Sequence, residues 1–187
     1  AKDFPEVITL KKIGHTRENR DITLIVIDAR NHLMGEDQSE VLEKPAILLT
    51  GAHHARELVS IQMPLYSVLK LLHGGVVHGE KHYVNMLIQN KYYVVPVVNV
   101  DGLAYIEHKF VKAGEFSQKR KNMNLEEADE CDVEDGGVDL NRNYGDTWDQ
   151  IGGSSTDPCE DNYRGKKPFS SQNQGLSGVS LPHTNPT

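Results

Sequence analysis

Hydrophobic and polar positions alternate from Val7 to Ile13, then give way to Gly14 and a charged turn between Arg17 and Asp21 before the run Ile22 to Ile27. Two β-branched runs joined by a short polar turn predict an antiparallel hairpin. Polar positions from Asn31 to Lys44 predict a loop, and Pro45 leads into the apolar run Ala46 to Thr50, a buried strand. The period then changes. Leu58, Ile61, Leu65, Leu69 and Leu72 recur at helical spacing, predicting a helix from about Arg56 to Leu72 that Gly74–Gly75 stops and Pro64 kinks or breaks. A second helix is predicted from Glu80 to Gln89. Tyr92 to Val98 is a continuous apolar strand, consistent with burial on both faces. It ends in Asn99–Val100–Asp101–Gly102, at the strand edge where α/β sheets place their sites. This order predicts an α/β fold, a mixed sheet covered by helices.

Beyond about Ala113 the periodicity fades into basic Lys119–Arg120–Lys121, an acidic run from Glu126 to Asp135, and segments rich in Gly, Ser and Asn. A long irregular stretch in a compact domain is either a functional loop system or disorder. The acidic run reads as a solvated loop, Tyr144 and Trp148 as packing for the loop system, and Ser170 to Thr187 as a polar, disordered tail. The 187 residues suffice for one domain with a sizeable core. A net charge of −7 argues against a nucleic-acid partner, since there is no broad positive field to attract phosphates. No apolar run approaches the ~20 residues needed to span a bilayer, and Ala1–Lys2–Asp3–Phe4–Pro5 does not read as a leader peptide. Cys131 and Cys159 lie in polar, turn-rich surroundings, which favours a disulfide and hence a secreted or otherwise oxidising location.

Two stretches carry chemistry. In Gly51–Ala52–His53–His54–Ala55–Arg56–Glu57, His54 and Glu57 are three apart, so a starting helical turn would put imidazole and carboxylate on one face. That donor mix suits Zn²⁺. By spacing alone His53 is a rival ligand, and the plainest alternative is a polar helix start near the positive end of the macrodipole. His73, His78 and His82 flank the predicted helix end, where imidazoles complement the dipole. In Gly137 to Asn143, Asn141 and Arg142 offer an amide and a planar fork suited to a carboxylate.

Together with Asn99–Asp101–Gly102, Arg120–Lys121–Asn122, Ile13–Gly14…Arg20 and Pro158–Cys159…Tyr163–Arg164–Gly165–Lys166, these motifs resemble, in order, the zinc metallocarboxypeptidases of the carboxypeptidase A/B type. The resemblance covers roughly Phe4 to Phe169 and implies a mixed, largely parallel sheet sandwiched by helices. It implies that His54 and Glu57 bind Zn²⁺, with His53 only a neighbour, and that Asp139 orients the zinc-bound imidazole. It implies that Arg56 binds substrate, that Arg120 stabilises a developing oxyanion, and that Asn141 and Arg142 grip the free C-terminal carboxylate of a peptide or protein substrate. It also implies a bridge between Cys131 and Cys159.

The family's third zinc ligand, a His in an Ile-His-Ser-Tyr-like context, and its catalytic Glu have no match here, and His183 has neither strand pattern nor the right neighbours. The expectation is therefore residues 1–169 as a partial catalytic domain, incomplete at both ends, with 170–187 as a tail. Two functions follow. One is a zinc-dependent metallocarboxypeptidase releasing C-terminal residues, represented by its N-terminal half and needing a complementary C-terminal half. The other is a non-catalytic module that binds peptide C-termini or has a structural role.

Overall fold

A computed structural model describes residues 2–35, 44–145, 148–150 and 152–170. The two alternating runs form β1 (Ile8–His15) and β2 (Asp21–Ile27), paired antiparallel with a slip in register between Lys12 and Gly14. The expected loop at Asn31 opens instead as a short helix, α1 (Arg30–Met34). Next come β3 (Ala46–Thr50), helices α2 (Val59–Leu71) and α3 (Lys81–Gln89), β4 (Lys91–Val95) and helix α4 (Val100–Ala113). β4 ends where Pro96 removes a ladder donor. The sheet is mixed and partly parallel, in the order β1-β2-β4-β3: β2 meets β4 antiparallel and β3 meets β4 parallel.

Alternation along the strands builds two apolar layers. On one face Ile25, Ile27, Tyr92 and Val94 pack under Val68, Leu71, Leu72 and Leu87 from the α2–α3 pair. On the other, Ile22, Leu24, Val26 and Val95 pack with Val98 and Leu140. The sheet therefore has a helical cover on one side and the loop system on the other.

Three helical expectations need correction. α2 begins at Val59 rather than Arg56, and Pro64 lies within it without ending it. Proline lacks the N–H that would bond the Ser60 carbonyl, and that oxygen faces Gly51, where a Cβ would lie 2.2 Å from it. Gly74 and Gly75 do not stop the helix; both are buried in a π-helical turn (Leu72–Val77) that prolongs α2. They are there for close packing, because a Cβ on Gly74 would lie 2.0 Å from the Tyr83 ring and one on Gly75 would lie 2.5 Å from Leu87. α4 was not foreseen, although its apolar Leu103, Ile106 and Phe110 have helical spacing. Asn99 caps it by accepting from the Gly102 N–H, and Gly114 ends it in the left-handed region at φ 69°.

Among the described residues β3 pairs only with β4, which leaves its other edge without a strand. Leu48 on β3 and Met63, Leu65, Tyr66 and Leu69 on α2 are all exposed large apolar side chains. No helix among the described residues is long and apolar enough to cross a membrane.

Candidate functional site

Parallel β3 and β4 end side by side, and the chain leaving β3 is fastened to the chain leaving β4. Gly51 N–H donates to the Val95 carbonyl at 2.9 Å, Val98 N–H to Gly51 at 3.0 Å, and Asn99 N–H to Ala52 at 2.9 Å. Ala52 holds a left-handed φ of 46° and donates its N–H to the Ser60 hydroxyl. The stretch from His53 to Leu58 then turns back on itself, Glu57 N–H meeting the His54 carbonyl. It is this turn, not a helical one, that brings His54 and Glu57 together.

His54 is buried, and both ring nitrogens are engaged: Nδ1 lies 2.8 Å from Glu57 Oε1 and Nε2 lies 3.1 Å from Asp139 Oδ1. Asp139 is fully buried and also receives Arg120 Nη2 at 2.8 Å, Arg120 Nε at 3.2 Å and the Asn141 N–H at 2.9 Å. Burial works to raise the Asp139 carboxyl, but the hydrogen bonds from His54 and Arg120 outweigh it and hold it below its ordinary value. Arg120 Nη1 is 3.6 Å from Glu57 Oε1, which closes the circuit. Asp139 thus joins the two stretches. As the N-cap of a short 3₁₀ turn (Leu140–Arg142), it places Asn141 and Arg142 immediately beyond the His54 contact. Arg142 is partly exposed, its Nη1 donating to the Asn141 carbonyl at 3.1 Å.

His53 points elsewhere. Its Nε2 lies 2.6 Å from the Tyr144 hydroxyl, and burial together with the charge of His54 pushes its pKa down to about 4, so it is neutral near pH 7. Tyr144 in turn packs edge-on against Phe169, and Trp148 donates to the Arg164 carbonyl beneath the Arg164 guanidinium, so both rings pack the loops as expected. His73 and His78 sit 6.2 Å apart, ring to ring, and His82 stacks on Tyr83. His183 lies outside the described residues, as does the expected tail beyond Ser170.

What fixes Arg120 is a feature that composition hides. In the segment Gln118 to Asn122, Lys119 and Lys121 are both buried on either side of half-buried Arg120. Lys119 Nζ donates to the carbonyls of Val133 and Gly136, each at 2.6 Å, and Lys121 Nζ to those of Pro158 and Glu160 at 2.7 and 2.9 Å. Burial, then the Lys121 charge, lowers Lys119 to about 8. The disulfide Cys131–Cys159 links the same two loops, with Cα atoms 5.4 Å apart. Asn99 donates its side-chain amide to the carbonyls of His53 and Arg120, and Asn122 accepts from the N–H groups of Asn124 and Val138. The acidic run is not merely solvated, since Glu134 accepts from Ser117, Lys109 and Tyr105.

His54 Nδ1 and Glu57 Oε1 converge with Nε2 already held by a carboxylate, the arrangement that leaves Nδ1 to meet a metal. As donors they fit two positions of a zinc site. Among the described residues no group of three His, Cys, Asp or Glu side chains could hold a metal ion, so a further donor is not found there.

The family described as zinc carboxypeptidase matches residues 1–180. The chain belongs to that family. It is 28% identical over 170 residues to carboxypeptidase B of Astacus astacus, covering 91% of this chain and 48% of that protein. It is 30% identical over 168 residues to human mast cell carboxypeptidase A, covering 89% of this chain and 34% of that protein. It is also 28% identical over 170 residues to the inactive metallocarboxypeptidase ECM14 of Saccharomyces cerevisiae, covering 90% of this chain and 34% of that protein. The crystal structure of thrombin activatable fibrinolysis inhibitor superposes with a TM-score of 0.74 at 28% identity, over 94% of this chain and 39% of that one. The fold is thus a carboxypeptidase fold, and the chain spans half or less of the length of these relatives.

Proposed function

We propose that the chain supplies the metal-binding and carboxylate-gripping part of a zinc-dependent metallocarboxypeptidase that releases C-terminal residues from peptides or proteins. The observation that carries this is Asp139. One buried carboxylate holds His54, Arg120 and the Asn141 N–H, so the proposed metal donors and the proposed carboxylate clamp form a single unit. In this reading His54 and Glu57 hold Zn²⁺, which when bound would polarise a substrate carbonyl and a water. Asn141 and Arg142 take the terminal carboxylate through charge-assisted bonds, Arg120 stands ready for a developing oxyanion, and Arg56 meets the peptide further upstream. The free edge of β3 and the apolar face of α2 suit a complementary C-terminal half, and the disulfide suits a secreted protein.

The test is a zinc titration of the 187-residue chain. Two side-chain donors should bind zinc weakly, because catalytic sites hold it by three. His54→Ala or Glu57→Ala should abolish that binding, whereas His53→Ala should not. Loss of binding in His53→Ala with retention in His54→Ala would overturn the donor assignment.

A second reading has a specific observation behind it: identity to the inactive relative from yeast equals that to carboxypeptidase B, 28% in each case. There the chain is a non-catalytic module that keeps the carboxylate clamp. Joining the chain to the C-terminal half of a related carboxypeptidase separates the two readings. Hydrolysis of a peptide acid supports the enzyme; binding without hydrolysis supports the module.

A further inference from the structure

Arg56 does not face an empty groove. Its Nη1 donates to the Gln118 carbonyl and its Nη2 to Asp161 Oδ2, both at 3.0 Å. Two-point fixing distinguishes this pair from a casual meeting of long side chains. Asp161 is equally well placed: it lies two residues beyond the disulfide, and the carbonyl of Glu160 before it is held by buried Lys121. Tyr163, two residues on, is buried beside the Lys121 ammonium at 5.8 Å. Yet both partners reach solvent, the Arg56 side chain being 29% and the Asp161 side chain 55% exposed. An exposed ion pair of this kind contributes little to folding. What it changes is the charge met by anything bound alongside it.

The chain of contacts gives that position a direction. From the clamp at Asn141–Arg142 the polar path runs through Asp139 to His54 and Arg120 and on to Glu57, whose neighbour in the chain is Arg56. A peptide whose terminal carboxylate sits in the clamp and whose backbone passes Glu57 brings its upstream residues to the Arg56–Asp161 pair. We propose that Asp161 masks Arg56, so that this upstream subsite accepts neutral or basic residues and does not favour acidic ones. Without Asp161 the guanidinium would attract an acidic side chain; without Arg56 the carboxylate would attract a basic one. The inference rests on the clamp reading above.

The test uses peptide acids carrying Glu, Ala or Lys at either of the two positions before the C-terminal residue, each also made as its C-terminal amide. They are titrated into the full chain, Asp161→Asn and Arg56→Gln. The wild-type chain should bind the Glu peptide no better than the Ala peptide. Asp161→Asn should shift the Glu-to-Ala affinity ratio toward Glu by about 3- to 10-fold at low salt, as expected for one unscreened charge near a surface. Arg56→Gln should shift the Lys-to-Ala ratio toward Lys by a similar factor, and 1 M salt should erase both shifts. Ratios unchanged in both variants, with the acid still preferred over the amide, would overturn the masking role and leave the clamp standing. Loss of the acid preference, or no binding of any peptide, would overturn both.

Discussion

At the scale of single residues, the site depends on a few buried charges that are fully occupied, and Lys119 is the one whose role sequence hides most. Lys119→Met removes an ammonium and strands two short-bonded carbonyls, so it should cost about 2–6 kcal/mol, at ~1–3 kcal/mol for each buried acceptor left without a donor. Urea unfolding measures it, and a loss below about 1 kcal/mol would show that these carbonyls find water. Glu134 gives the pH dependence. Burial works to raise its carboxyl, but hydrogen bonds from Ser117 and Lys109 hold it below its ordinary 4.5. A depressed carboxyl stabilises the fold above its unfolded value and loses that contribution as pH falls through the folded one. Glu134→Gln should therefore cost about 1 kcal/mol at pH 7, a modest figure because the carboxylate keeps contact with water, and nothing once wild type is protonated. Parallel midpoints from pH 7 to pH 3 would contradict this. His54, Glu57, Asn141 and Arg142 stood out in the sequence because their chemistry is local. Lys119 and Lys121 did not, since a basic tripeptide looks solvated until both ammonium groups are seen buried on main-chain carbonyls.

Elements were legible where one period held and illegible where packing overrode a local signal. The hairpin, β3 and α3 follow their patterns, and β4 is buried on both faces as its continuous apolar run suggests, though it stops at Val95, before Pro96, rather than running to Val98. Gly74–Gly75 resembles a helix stop, yet the pair is an approach surface for Tyr83 and Leu87. The packing role is open to measurement. In a helical turn with no positive φ, alanine would normally help by about 0.5–1 kcal/mol. Here Gly74→Ala should destabilise by about 1–3 kcal/mol, since the added methyl meets the Tyr83 ring. A stabilised Gly74→Ala in thermal unfolding would contradict this packing role. α4 is hidden in the sequence because Asn99 to Gly102 reads as strand-edge chemistry, while the same Asn99 is the cap that starts the helix.

For the molecule as a whole, the loops beyond α4 have almost no periodicity, so their order comes from tertiary anchors: two buried lysines, the side chains of Asn99 and Asn122, and the Cys131–Cys159 bridge. The bridge closes a separation of 28 residues, and reduction should lower stability by roughly 3–4 kcal/mol in the chain-entropy account. The proposed clamp, Asn141 and Arg142, lies inside that loop, so reduction should weaken peptide binding before it unfolds the sheet. The central claim is that Asn141 and Arg142, tied through Asp139 to His54, grip a free C-terminus. Calorimetric titration of one peptide as its acid and as its amide, into wild type and Arg142→Gln, tests this most directly. Wild type should prefer the acid by about 5- to 150-fold, equivalent to the 1–3 kcal/mol of a charged hydrogen bond, and Arg142→Gln should lose that preference; equal binding of acid and amide by the wild-type chain would contradict the clamp.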